Sequence, residues 1–455
     1  MINIDFTSKG KAWFIGIGGV SMSGLAEYLM DRGFEVEGSD MNESTMVEKL
    51  RGMGISVKVP QAADNIPKDA DFVVYTAAIH PDNPEFVRAR ELGLTMYTRA
   101  QLLGAMMEEF KDSVAVAGTH GKTTTTGMIS SILLEADKDP TISIGGDLPV
   151  INGNFRVGHT GYFITEACEY TNSYHEFYPK YNAILNIEED HLDFFKGMED
   201  IRKSFNAFAC NTKEDGVLLL NADIDEPQEI LRGVKAKVCT YGVGKGTYHA
   251  EDISYDDGGK PYFYAFRDGE NLGEVHLCVY GLHNVSNAMA ALGICHEMGI
   301  GFDIIKEGLN KFKGTLRRFE YKGLFKGAVI IDDYAHHPTE IRATLSAAKK
   351  IPHDRLVVVF QSHTYSRTRA LLPQFADALK EADIVLLPDI YPARETDDLG
   401  VSSGDIAALL GAGAYYIPTF DGCEDFLRQN AKINDLIITM GAGDVFKIGD
   451  ALTGD

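Results

Sequence analysis

The sequence predicts an α/β fold in three domains: a Rossmann-like N-terminal domain, a central P-loop domain and a C-terminal Rossmann-like α/β domain. Three observations lead there. Short apolar strands alternate with helical stretches along the whole chain, a glycine-rich turn follows the first strand, and the alternation restarts near residue 110 and again after Arg317-Arg318. The chain has 455 residues, enough for about three domains of roughly 150 residues each. The restarts place the divisions at 1–107, 108–316 and 317–455.

In the first domain, Ala12-Trp13-Phe14-Ile15 reads as a strand, Gly16 to Gly24 as a glycine turn entering a helix, and Phe34-Glu35-Val36 as the next strand, leading to Ser39-Asp40. A third strand is expected at Asp71-Phe72-Val73-Val74-Tyr75. Gly16-Ile17-Gly18-Gly19-Val20-Ser21 follows the dinucleotide fingerprint except that Ser21 stands at its third glycine. Gly18, Gly19 and Ser21 are thus candidates for holding a diphosphate, with Asp40 at the end of the second strand.

The second domain opens on Val114-Ala115-Val116-Ala117 and the run Gly118-Thr119-His120-Gly121-Lys122-Thr123-Thr124, followed by a helix from about Thr123 to Glu135. Glycines at 118 and 121 let backbone amides approach phosphate oxygens, the helix N-terminus is positive, Lys122 adds a charge, and the Thr123 hydroxyl can hold magnesium. The strict Walker pattern would have glycine where this chain has Val116. Glu166 and Glu169 follow the strand Tyr162-Phe163-Ile164, where a further magnesium ligand is expected. After Ala183-Ile184-Leu185, the run Asn186-Ile187-Glu188-Glu189-Asp190-His191-Leu192-Asp193 gathers carboxylates and an imidazole, and His191 is its best candidate for direct coordination. A hairpin-rich insertion is expected from about Asp215 to Tyr280, then His283-Asn284 before an alanine-rich helix at Ala288 to Leu292, where the amides read as a helix cap or a purine contact.

The third domain has strands at Val329-Ile330-Ile331, Val357-Val358-Val359, Ile384-Val385-Leu386-Leu387 and Leu436-Ile437-Ile438. Arg317-Arg318 precede it as a cation for phosphates or a surface ion pair. Asp332-Asp333-Tyr334-Ala335-His336-His337-Pro338 ends its first strand, with Pro338 suited to a helix start. His363-Thr364-Tyr365-Ser366-Arg367-Thr368-Arg369 ends the next, where Arg367, ahead of Arg369, could grip a carboxylate by two hydrogen bonds.

A net charge of −23 excludes general attraction to nucleic acid or an anionic membrane, so an anionic substrate must meet a local positive site. No run of about 18 uncharged apolar residues occurs and Met1-Ile2-Asn3-Ile4-Asp5 lacks the features of a signal peptide, which predicts a cytoplasmic protein without membrane insertion. The six cysteines show neither zinc-site spacing nor disulfide density and read as reduced thiols. A monomer or homodimer is expected.

Taken in order, Gly16 to Gly24, the Gly118 to Thr125 loop, Asp190-His191-Leu192-Asp193, His283-Asn284, Asp333 to Pro338 and Ser366-Arg367-Thr368 resemble the Mur ligase family over essentially the whole chain. His120 within the loop favours the alanine-adding branch. The resemblance implies an ATP-dependent ligase that joins L-alanine to the carboxylate of UDP-N-acetylmuramic acid through an acyl phosphate. It further implies Lys122 on ATP phosphates, Thr123 and Glu166 on one Mg2+ and His191 on a second, Asn284, Arg318 and Asp333 around ATP, and Tyr334, His336 and Arg367 toward L-alanine. Several relatives bridge metals with a carbamylated lysine, where this chain has Phe205. Thr364 stands where some alanine-adding members carry arginine.

Competing readings are a recycling ligase that adds a peptide to the same sugar nucleotide, folylpolyglutamate synthesis and, from another class, a nucleotide-operated switch or binding protein. Residues 1–107 disfavour the second, and the polar strand ends of the third domain disfavour the last.

Overall fold

The computed structural model describes residues 4–191, 194–393, 395–396 and 399–454. It divides into two compact units, Met1–Tyr241 with Ala290–Gly308, and Gly242–Met289 with Leu309–Asp455.

The first unit holds two sheets. One is wholly parallel, ordered Ser56–Lys58, Glu35–Ser39, Lys11–Ile15, Phe72–Tyr75, Thr95–Thr98, so the strand order reverses beside Lys11–Ile15. Ligand crevices of open α/β sheets lie at such reversals. The outer strands Ser56–Lys58 and Thr95–Thr98 escape sequence reading because they are short and partly exposed, without a sustained apolar run. Trp13, the only tryptophan of the chain, is buried on one face of this sheet, and its Nε1 donates to Glu85 Oε2 at 3.1 Å. Glu85, also buried, accepts further from Ser39 Oγ, Ala62 N and Asn65 Nδ2, so one carboxylate fastens two strands to the loop and helix above them.

The other sheet carries the phosphate loop. Its parallel strands run in the order Val217–Asn221, Tyr181–Ile184, Asp112–Ala117, Tyr162–Ala167, Thr141–Leu148, with Gly153–Arg156 antiparallel at the edge. Asp112–Ala117 is therefore flanked by the two strands whose ends carry Glu166 and Asn186. Gly24, on the helix Val20–Asp31, sits so close to Phe155 that a Cβ would lie 2.3 Å from its ring.

The hairpin expectation for 215–280 is corrected. Val217–Asn221 and Lys237–Val243 pair parallel to each other and extend the central sheet, in keeping with the continuous burial of Val217–Asn221. Only Tyr248–Tyr255, Pro261–Arg267 and Glu270–His276, in the second unit, form an antiparallel meander.

The second unit also holds a six-stranded sheet, ordered Glu320–Phe325, Ala328–Asp333, Asp435–Met440, Arg355–Phe360, Ile384–Leu387, Ala414–Tyr416, parallel except for the first. Apolar clusters cover both faces, Ile331, Leu345, Phe360 and Phe375 on one, Ile330, Val359, Leu427 and Ile448 on the other. Among the described residues no helix is long and apolar enough to cross a membrane.

Candidate functional site

In the first unit the phosphate loop leaves the strand Asp112–Ala117 and turns into the helix Lys122–Glu135. Gly118 has φ +146° and a Cβ there would lie 2.9 Å from Leu185, and Gly121 caps the helix at φ +83°, so both glycines are required by the turn. The loop is stitched to the neighbouring strand end: Asn186 Oδ1 accepts from His120 N at 2.7 Å, Asn186 Nδ2 donates to His120 O at 3.0 Å, and Thr119 Oγ1 accepts from Glu188 N at 2.9 Å. Thr124 follows on the first helical turn, whose amides point back into the loop.

Lys122 Nζ donates to the carbonyls of Gly118 and Thr119 and lies 3.1 Å from the carboxylate of the buried Glu169. Burial alone would lower its pKa, but Glu169 and, further off, Glu166 reverse the effect, and Lys122 stays firmly protonated with its pKa raised. Burial and the charge of Glu169 push the intervening Cys168 thiol up, away from a reactive thiolate.

Thr123 and Glu166 border two adjacent glycines. A Cβ added at Gly145 would lie 3.0 Å from Glu166 Oε1, and one at Gly146 would lie 3.2 Å from Thr123 Cγ2. Gly145 N also donates to Glu166 Oε1 at 2.5 Å. A threonine and a carboxylate beside two glycines form a donor set that suits a hard divalent cation such as magnesium. His191, at φ +52°, lies against Tyr170 with ring centres 4.7 Å apart at a tilt of 35° and brings Nε2 within 3.8 Å of Glu169 and 3.9 Å of Asp190. Leu192 and Asp193 lie outside the described residues. Phe205 is fully buried against Tyr174, and the neighbouring Lys203 points to solvent with Glu199, so no lysine occupies a metal-bridging position there.

At the first sheet's reversal, Gly16 turns at φ +80°, Gly19 precedes the helix Val20–Asp31, and Gly18 N donates to Asp40 Oδ2 at 2.9 Å. Asp40 thus braces the glycine turn. Ser21 accepts from Arg99 Nη1 at 3.2 Å. Arg99, at the start of the helix Arg99–Glu108, was not singled out by sequence reading, although an arginine immediately after a parallel strand is the signal that could have found it. Burial lowers its pKa, and among the described residues it meets no carboxylate, a state that invites an anionic ligand.

In the second unit the two arginines separate in role. Arg317 is structural: it pairs with buried Asp332 at 3.2 Å, donates to Gly441 O, and lies over Tyr334 and Phe446. Arg318 lies 3.8 Å from Glu340 and over the Tyr334 ring, 5.0 Å from its centre. Asp333 accepts from Phe319 N, Ala335 N and Thr344 Oγ1, and burial pushes its carboxyl up to about 6 against the pull of Arg318. The helix after the meander runs Leu282–Glu297, so it starts earlier than the expected Ala288 to Leu292. Asn284 lies inside its first turn, where it caps no amide: its Nδ2 donates to Tyr280 O and its Oδ1 accepts from Asn287.

Pro338 begins the helix Pro338–Ala348, capped by His337 and by Glu340 reaching back. His336 Nδ1 lies 3.1 Å from Tyr334 O and 3.2 Å from Glu340 Oε2, both acceptors, so Nδ1 carries a proton. Arg367 Nη1 meets His363 Nδ1 at 3.3 Å, whereas Arg369 is held on the carbonyl of Leu399. Thr364, at φ +67°, caps the short helix Tyr365–Ala370.

Family models match three successive stretches: the Mur ligase family catalytic domain over residues 11–111, the Mur ligase middle domain over 116–295, and the Mur ligase glutamate ligase domain over 317–443. The chain belongs to the Mur ligase family.

Among curated Mur ligases, the UDP-N-acetylmuramate–L-alanine ligase of Agathobacter rectalis is 55% identical over 99% of both chains, and that of Caldanaerobacter subterraneus is 45% identical over 99% of this chain and 98% of its own. The crystal structure of UDP-N-acetylmuramate-alanine ligase from Thermotoga maritima matches with a TM-score of 0.82 at 32% identity, covering 98% of each chain. A murein peptide ligase from Psychrobacter arcticus, 24% identical and covering 97% of this chain and 98% of its own, shares the Mur ligase fold with a TM-score of 0.71.

Proposed function

We propose that this chain joins L-alanine to the carboxylate of UDP-N-acetylmuramic acid, using ATP, in the synthesis of a peptidoglycan precursor. The observation that carries the reading is the 55% identity, over 99% of both chains, to a ligase of that name. ATP use follows from membership of the family and agrees with the phosphate loop around Lys122.

A carboxylate and an amine do not condense in water, so the carboxylate takes the γ-phosphoryl group of ATP to give an acyl phosphate, which the amine attacks with loss of phosphate. Lys122 stabilises charge on the transferring group, and Gly118 to Thr124 orient the phosphates through backbone amides. Magnesium, when bound, supplies further positive charge beside that group; Thr123 and Glu166 would hold one ion, with His191 the ligand of a second. Asn284, Arg318 and Asp333 are assigned to ATP. Gly18, Gly19, Ser21 and Asp40 are assigned to the sugar nucleotide, with Arg99 added as a cation for its anionic part. His336 takes a proton from the alanine ammonium, and Tyr334 and Arg367 position the amino acid.

The domain assignment accompanying this reading is 1–107 for the sugar nucleotide, 108–316 for ATP and 317–455 for the amino acid. A cytoplasmic location and a monomer or homodimer belong to the same proposal.

Phosphate release is the test. It is expected to require ATP, UDP-N-acetylmuramic acid and L-alanine together; equal release without the last two points to a nucleotide switch, and preference for a tripeptide over L-alanine points to recycling.

A further inference from the structure

His363 lies between the two groups assigned to the amino acid. Its ring edge meets the His336 ring with centres 5.9 Å apart at 64°, and its Nδ1 meets Arg367 Nη1 at 3.3 Å. The guanidinium has donors only, so Nδ1 must be the bare, accepting nitrogen and the ring is neutral, with its proton on Nε2. The ring is held in that pose from below: it stacks on Tyr391 with centres 5.5 Å apart at 22°, while Tyr391 N donates to Ser362 O at 2.8 Å and Thr364 N donates to Tyr391 O at 2.9 Å. Thr368 Oγ1 bonds Ser362 Oγ at 2.6 Å and the Thr364 carbonyl at 2.6 Å, fixing the turn that carries Arg367.

A long arginine side chain loses much rotamer freedom when it grips a carboxylate in one geometry. A fixed acceptor that holds one of its nitrogens beforehand reduces that loss. We propose that His363 is a positioning residue for L-alanine: its neutral Nδ1 presets Arg367, and its ring sets the separation between Arg367 and the proton-accepting His336. The inference rests on the assignment of Arg367 to the amino-acid carboxylate.

The experiment compares His363→Asn with His363→Gln by steady-state kinetics in all three substrates. Asparagine places an amide oxygen near the position of Nδ1, and glutamine places it near Nε2; both are polar and similar in demand on the fold. Expected is a KM for L-alanine close to wild type in H363N and raised roughly tenfold in H363Q, the scale of one hydrogen bond to a charged group, with the KM values for ATP and the sugar nucleotide unmoved. Arg367→Ala is measured alone and with H363Q. If Arg367→Ala raises the alanine KM and H363Q adds nothing to it, the two residues act as one unit, as proposed. Equal behaviour of H363N and H363Q, or full additivity with Arg367→Ala, overturns the role of His363 while leaving that of Arg367. An unchanged alanine KM in Arg367→Ala overturns the assignment of Arg367 and this inference with it.

Discussion

The Lys122 ammonium lies 3.1 Å from a Glu169 carboxylate that is almost wholly buried, so the cation assigned to ATP phosphates also neutralises a charge of the protein itself. Lys122→Ala is expected to abolish phosphate transfer and also to lower stability by roughly 3 kcal/mol, because one buried partner is left uncompensated. The double variant Lys122→Ala/Glu169→Gln should regain the stability without regaining the activity. Thermal unfolding and phosphate release measured on both variants separate the two effects; a double variant as unstable as the single one would refute the pairing.

The Gly145-Gly146 pair makes a second prediction. Gly145→Ala would place a methyl group 3.0 Å from Glu166 Oε1 and force the carboxylate aside. The concentration of Mg2+ giving half-maximal phosphate release should rise roughly tenfold, and Glu166→Gln should raise it similarly. Unaltered magnesium titrations in both variants would remove Glu166 from the cation site.

Arg99 is a charge held partly out of water that meets no carboxylate among the described residues and donates to Ser21 Oγ. Arg99→Met should weaken the sugar nucleotide at least tenfold in KM, leave the ATP KM unchanged, and raise the unfolding midpoint by roughly 2 °C as the buried charge is relieved. Lower stability with an unmoved KM would mark Arg99 as structural.

Asp333 carries a pH signature. Its folded pKa, about 6, stands above the reference 3.8, so between about pH 4 and 6 the folded state binds the proton that the unfolded state has lost. Stability from this group is therefore present at low pH and is lost as pH rises through that window. Asp333→Asn removes the effect. Whatever its overall cost, the variant should gain on the wild type by up to about 3 kcal/mol between pH 4 and 6.5, read from urea unfolding at each pH. Curves separated by a constant offset would contradict the raised pKa.

Much of the candidate site was legible as local structure because its residues stand adjacent in sequence. Gly118 to Thr124 form one turn, and Asp332 to Pro338 form one strand end and helix start. What was not legible depends on pairing between distant segments. Asn186 clasps His120 across 66 positions, and Arg99 reaches Ser21 across 78; neither residue type is unusual where it stands. The roles of Arg317 and Arg318 could not be divided from their order, because the division is made by Asp332 and Gly441 on one side and Glu340 on the other. In the fold, the apolar run at Val217–Asn221 was misread as part of a hairpin region, since burial on both faces shows in the sequence only as an uninterrupted apolar stretch.

The contact between Trp13 and Glu85 gives the molecule an optical property. Because the chain has one tryptophan, its indole emission comes wholly from the interior of the parallel sheet that bears the Gly16 turn. Excitation at the red edge of the absorption band, where its twenty tyrosines contribute little, would therefore follow loosening of that single sheet. Far-ultraviolet dichroism, by contrast, averages over every helix and strand. Any gap between the two unfolding curves would time the loss of that sheet against the loss of the rest.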